Sequence, residues 1–515
     1  MPSAETAPPS RSLLHRPGCW ITFLTVIPLL IGGAYVAHNW SGARQLARAR
    51  SAIAAAGIEW DLRQIPVAPK SADSAGDDNF CAAPMVRSII DGTAAGPDYE
   101  ALQRVAEWHQ CVTKAGVRLQ SARHPAPTDW TAVRDEVVAG DPKAQIDPSA
   151  DPVVALTASL ERDLAPVLSE LVAALPRNSS VIGPRFVESL RRGKVFDSHT
   201  PWMDDMRKLS MALYLRGRLH LERGNLEPVL SSARVLLRLA DGAERHGSAV
   251  GGLIGLSLRS LVHNIIWVAA THRSLPPEAW RELATLMRDQ QPLERLPQTI
   301  QGEVVFVHQA LALLRDNPSE LSALSSDPQW GSWQLFRTFL PRGWFDASEA
   351  IILGSYANIA RAIQNPSLPN RFTVATFPSE EIKNQLLPDH RFLASILMDP
   401  PANWVRHFAS SHAISQLAEV ACQLEIFWHQ RQAYPESLDA LVPDYLPAIP
   451  IDFDGRPIRY AAAPATGRYR LWSVGSDGQD DGGVEKAAEA GAPKPWNEPI
   501  GDWLWQYPKA STPTR

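Results

Sequence analysis

Residues 475–483 read GSDGQDDGG, the densest set of side chains able to do chemistry in the 515-residue chain. A hard cation such as calcium takes six to eight oxygen ligands, and glycines let a short loop turn its carboxylates inward, so Asp477, Asp480 and Asp481 suit such an ion. The competing reading is a solvated acidic turn. Cysteine chemistry is sparser: Cys19, Cys81, Cys111 and Cys422 form no CxxC or Cys/His spacing, which gives no support to a zinc or thiol-redox motif. In an oxidising compartment Cys81 and Cys111 are candidates for a disulfide; otherwise they are small buried thiols. Glu425 and His429, four apart on a helix, read as a surface pair, whereas His407 and His412, five apart, do not converge on one ion. The sequence contains no GxSxG, HExxH, P-loop or GxGxxG. The chain therefore reads as a non-enzyme.

The elements that must position these residues are helical for most of the length. With 45% hydrophobic and 20% charged residues, the chain can bury real cores in two to four packed units. The net charge of -5, from 50 basic and 55 acidic residues, leaves no basic face for nucleic acid. The 43 prolines and 17 tryptophans point to short helices ended by X-Pro steps and loops pinned by indole rings.

Residues 19–37 (CWITFLTVIPLLIGGAYVA) carry no charge and are long enough to cross about 30 Å of hydrocarbon as helix. Trp20, Tyr35 and Trp40 flank the run at headgroup level, and lipid tolerates Pro28. A membrane anchor is expected here; the alternative is a signal peptide cleaved near residues 32–34. A second apolar run, residues 249–270, contains Arg259, His263 and Asn264. The insertion cost of an arginine, about 2.5–3.5 kcal/mol, and a stripe of Ile254, Leu258, Leu261, Ile265 and Ala269 argue for a buried soluble helix instead.

Between residues 80 and 410 apolar residues recur at three and four, as in Val229, Leu230, Ala233, Leu236, Leu237 and Ala240. Breaks at Gly224-Asn225 and Asp241-Gly242 predict helical hairpins, giving a solenoid-like body without a fixed repeat. The aromatic stretch 327–345 reads as a packing cluster or, alternatively, a glycan-stacking platform. Beyond about residue 411, a helix to 432 gives way to a Pro-rich segment with a short helix at Pro435-Glu436-Ser437. Strand candidates at 458–462 and 469–474 should form a hairpin against the preceding helix.

The residues Tyr434-Pro435-Glu436-Ser437-Leu438, Leu441-Val442-Pro443, Ile449-Pro450, Asp454-Gly455, Pro457, Tyr460, Leu471-Trp472-Ser473-Val474-Gly475 and Asp477-Gly478 resemble, in order and spacing, the C-terminal domain of type II secretion major pseudopilins. The resemblance covers about residues 412–507. It implies a helix packed on a small antiparallel sheet, an extracytoplasmic location, and a calcium loop whose aspartates fall on Asp477, on Asp480 or Asp481, and on Asp502, with the Val474 carbonyl as a further donor. The N-terminus departs from that family, since Gly18 is followed by Cys19 and the fifth position holds Phe23 instead of glutamate. The whole chain is similar to single-pass bacterial envelope proteins with a helical body and this kind of cap.

The expected protein is thus mainly α, with a cytoplasmic tail (1–18), a transmembrane helix (19–37), a juxtamembrane helix and linker (38–79), a helical periplasmic domain (80–410), a pseudopilin-like α+β module (411–507) and a tail (508–515). It would sit in the inner membrane and bind an envelope protein partner, not nucleic acid. The alternatives are an envelope hydrolase or glycan-active enzyme with dispersed acids, and an accessory component of a secretion apparatus.

Overall fold

The computed structural model describes residues 17–65, 78–114, 128–183, 186–193, 195, 202–317, 341–365, 391–397, 401–463, 468–484 and 501–507. These are mainly helical: α1 (Pro17–Ala55), α2 (Pro84–Ile90), α3 (Pro97–Lys114), α4 (Trp130–Gly140), α5 (Pro152–Ala174), α6 (Phe186–Arg191), α7 (Trp202–Glu222), α8 (Leu226–Glu244), α9 (Ala249–His272), α10 (Pro277–Arg288), α11 (Leu296–Asp316), α12 (Arg342–Gln364), α13 (Phe392–Leu397) and α14 (Pro401–Arg431). Strands β1 (Arg459–Ala463), β2 (Arg468–Ser473) and β3 (Trp503–Gln506) follow. Helix starts are chemically marked. Asp129, Asp151 and Ser248 accept hydrogen bonds from first-turn amides of α4, α5 and α9, filling the role of N-cap side chains.

The chain divides into two compact units. The first comprises Met1–Ala55, Ala310–Gly354 and Pro378–Asp399. Its α1 runs unbroken through Pro28 and changes character along its length. Residues 25–38 are exposed on every face, among them Leu29 (73%), Leu30 (67%), Ile31 (64%) and Val36 (66%). From Gly42 onward one face is covered, at Leu46, Ala49 and Ile53. Here α1 meets α12: Asn39 Oδ1 accepts from the Gly343 amide at 2.7 Å, and Arg50 pairs with Glu349 at 3.0 Å. A Cβ at Gly343 would stand 2.3 Å from the His38 carbonyl oxygen, so only glycine lets the backbones approach this closely.

The second unit comprises Ala56–Gln309, Ser355–Phe377 and Pro400–Arg515. Turns at residues 223–225 and 245–248 fold α7, α8 and α9 back on one another; the first falls at the expected Gly224-Asn225 break, whereas Asp241-Gly242 lies inside α8, whose helix continues to Glu244 before the chain turns. On α8 the predicted stripe is dry, with Val229, Ala233, Leu236 and Ala240 fully buried. Helix α9 is apolar and long enough to cross a bilayer, yet 78% of its apolar window lies inside the protein. Being apolar on most sides, it needs cover on more than one, and α14, from far downstream, packs on both α9 and α10. Stacking of sequence neighbours is therefore only part of the packing. Gly255 makes room for the α8–α9 crossing, since a Cβ there would lie 2.5 Å from Glu244 Cγ.

The C-terminal residues form a three-stranded antiparallel sheet in the order β1-β2-β3, with Tyr460 opposite Leu471 and Leu471 opposite Trp505. The predicted hairpin is present within one residue at each strand, and β2 and β3 pack on α14. The sequence reading missed β3. The helix expected from about residue 411 starts earlier, at Pro401, so position 410 lies inside α14. The short helix expected after Pro435 is a 3-10 turn, Leu438–Leu441.

Candidate functional site

Asp452, which the sequence reading passed over, anchors the cap. It follows Ile451, whose bridge to Pro457 closes the turn and brings the carboxylate under β2. Its Oδ1 accepts from Ser473 Oγ (2.6 Å) and the Phe453 amide (2.8 Å), and its Oδ2 from the Val474 amide (2.9 Å) and Arg459 Nη1 (2.7 Å). Burial raises its pKa against those four donors. The Arg459 guanidinium also bonds Asp454 and, through Nε at 3.3 Å, Asp480. One cation thus gathers three carboxylates from two turns.

The predicted loop aspartates have separate partners. Asp477 accepts from the Gln479 amide at 3.1 Å. Asp480 Oδ1 accepts from Trp472 Nε1 (2.9 Å) and the Gly482 amide (3.0 Å). Asp502 is fully buried and accepts from the Asp481 amide (3.2 Å) and the Gly483 amide (2.7 Å), which oppose the upward push that burial gives its pKa. Backbone N–H groups hold the loop: the Asp481 and Gly483 amides bond Asp502, and the Gly482 amide bonds Asp480. Among the described residues no group of three or more His, Cys, Asp or Glu side chains is disposed to hold a metal ion. The Val474 amide serves Asp452, and residues 485–500 lie outside the described residues.

Glu425 is not the surface residue its spacing to His429 suggests. It is fully buried on α14, where Oε1 accepts from the Tyr434 hydroxyl at 2.9 Å and Oε2 has no hydrogen-bond partner. Burial pushes its pKa up to about 7, outweighing the Tyr434 hydroxyl and the charges of Arg468 and Arg273. Aromatic rings surround it. Tyr434 and Tyr469 meet edge to face at 4.8 Å, Tyr469 and Tyr507 share a 2.8 Å hydroxyl contact, and Trp505 Nε1 donates to Tyr507 at 3.0 Å. The sheet is fastened to the end of α9 as well: Arg468 donates to the carbonyls of Ala270 (2.8 Å) and Thr271, and Trp267 Nε1 to that of Gln506 at 2.9 Å. A cation at a helix C-terminus satisfies its last carbonyls and complements its dipole.

Of the remaining predicted residues, Cys81 is a free, buried thiol whose Sγ lies 3.4 Å from Ser180 Oγ, and burial raises its pKa to about 11. The side chain of Cys111 lies outside the described residues, as do residues 318–340 of the aromatic stretch. Phe345 of that stretch is buried on α12. Sequence signals for Asp452 and Arg459 existed in the run IDFDGRPIRY, where a cation opens a strand just after a turn carrying two acids. Glu425 had only its place on the helix face that also carries buried Ala418, Ala421 and Cys422. The chain matches no family model, no curated protein and no solved structure.

Proposed function

We propose that this chain is a single-pass membrane protein whose helical body and C-terminal cap lie outside the cytoplasm and act by binding an envelope protein. The observation that carries the reading is the exposed apolar stretch of α1. Leu29, Leu30, Ile31 and Val36 face outward on a helix with no charged residue between positions 19 and 37. A helix apolar on every side needs hydrocarbon around it. The orientation rests on the likeness of the cap to pseudopilin C-terminal domains. Binding, not catalysis, is favoured because Glu425, Asp452 and Asp502 accept hydrogen bonds from groups of the fold itself.

The same likeness adds calcium at Asp477, Asp480, Asp481 and Asp502. An incoming ion would compete with Arg459 for Asp480 and with two backbone amides for Asp502, so the proposal is a weak site that steadies the cap, in the about 10⁻⁴–10⁻³ M range of extracellular modules. Thermal melting with millimolar calcium and with chelator tests it, because an ion bound only to the folded state must raise the midpoint. Topology is tested by fusing a periplasm-dependent phosphatase or a cytoplasm-dependent fluorescent protein after Arg515. Phosphatase activity without fluorescence supports the reading, and the reverse pattern overturns it.

A further inference from the structure

The polar side of α8 carries Arg234, Arg238 and Asp241 at helical spacing, with Arg245 just past its end, and these residues line a cavity of about 400 Å³. Arg259 of α9 and Arg295 also line it, so five arginines face three acids, Asp241, Asp289 and Glu294. Among the lining residues arginines outnumber acids, but Glu227, Glu244 and Glu282 beside them offset that excess. Much of that charge is already committed. Asp241 is held between Arg245 (2.8 Å) and Arg295 (2.9 Å), and Arg234 pairs with Glu282 and Glu227. Glu244 takes two nitrogens of Arg259, Nε at 2.9 Å and Nη2 at 2.7 Å.

Two donors remain unpartnered. Arg259, whose side chain is only 3% exposed, has a buried Nη1 with no acceptor, and Arg238, which donates through Nη2 to the Arg177 and Ser179 carbonyls, has a buried Nε with none. A buried donor without an acceptor is costly, about 1–3 kcal/mol, and the cost is greater for a charged group. Guanidinium groups match the oxygens of carboxylate and phosphate better than any other side chain. The space is many times larger than an inorganic anion requires, and its wall adds Leu175, Leu237 and Leu286 with the amides of Gln290 and Gln291. Such a mixture of apolar and amide surface suits a small organic body attached to the anionic group.

We infer that this cavity is a binding site for a small organic oxyanion, a phosphorylated or carboxylated molecule of about monosaccharide size, with Arg259 and Arg238 as its anionic-group ligands. The site lies in the helical body, away from the loop aspartates, and does not depend on the membrane reading.

The test is thermal melting of the full chain in detergent with inorganic phosphate, glucose 6-phosphate, galacturonate or neutral glucose, at ionic strength matched with sodium chloride. Glucose 6-phosphate or galacturonate at about a hundred times its Kd raises the midpoint by about 2–4 °C, while glucose does not. Inorganic phosphate alone gives a smaller rise and competes with either. The variant Arg238→Gln, checked for native helix content by circular dichroism, loses the rise; if it fails to fold, Arg238→Lys, which keeps the charge but lacks the guanidinium Nε–H, carries the test. Absence of any rise up to about 10 mM anion overturns the proposal. So does an equal rise in wild type and in a folded variant, or an equal rise with sodium chloride alone.

Discussion

Two fully buried glutamates, Glu244 at the crossing of α8 and α9 and Glu425 at the joint of α14 with the sheet, solve one electrostatic problem in different ways. Glu244 faces a guanidinium across two bonds of 2.9 and 2.7 Å. Glu425 has a tyrosine hydroxyl at 2.9 Å, with Arg273 and Arg468 near enough to influence it but not paired to it. At the crossing, charge is balanced by a fixed cation; at the joint, the balancing cation is a proton, so the carboxyl of Glu425 should respond to pH near neutrality. The interior of the body is thereby locked, whereas the attachment of the cap is adjustable.

The largest expected effect breaks the locked side. Arg259→Met leaves Glu244 buried without its partner and should cost about 3–5 kcal/mol in urea unfolding, with much of the loss recovered when Glu244→Gln is added. If the single variant is as stable as wild type, the ion pair is not the lock.

Next comes the titrating side. The carboxyl of Glu425 moves from an ordinary 4.5 to about 7 on folding, so between those values the folded protein keeps a proton that the unfolded chain releases. Its contribution is greatest at or below the lower value and is lost as pH rises through the upper one, about 3 kcal/mol in all. Buried His246 and His263, lowered from 6.5 to about 4 and about 3 by burial, act in the opposite sense: stability falls as pH drops below 6.5. The informative quantity is therefore the difference between wild type and Glu425→Gln from pH 5 to 8. That difference should grow with pH in favour of the variant, and a flat difference would remove Glu425 as the titrating group.

Smaller effects sharpen the contrast. Asp452→Ala should loosen the cap by about 2 kcal/mol, seen as faster amide exchange in β1 and β2 with α8 and α9 unchanged. Tyr434→Phe should cost about 1 kcal/mol and shift the Glu425 transition upward, because a bond to the ionised carboxylate is gone.

The parts legible in the sequence were those governed by local periodicity. The dry stripe of α8, the hairpin turn at 223–225 and the pairing of β1 with β2 all follow from residues within a turn or a strand of one another, whereas Asp241-Gly242, read as a break, stays helical because Gly242 is packed inside α8. What escaped depends on chain distance. Arg468 reaches the Ala270 carbonyl across 198 positions, and nothing local tells that α9 will need a cation there. Glu425 looked exposed because helical spacing alone cannot tell that a sheet will cover that face. The loop aspartates were visible as a group, but the side-chain donors to Asp480, Trp472 and Arg459, approach from strands whose register is set elsewhere.

The proposed anchoring of α1 in lipid is tested most directly by alkaline carbonate extraction of membranes from cells making either the full chain or a form starting at Ser41. The full chain should stay in the membrane pellet after the wash while the shortened form leaves with the soluble fraction. Recovery of the full chain in the wash would contradict the account.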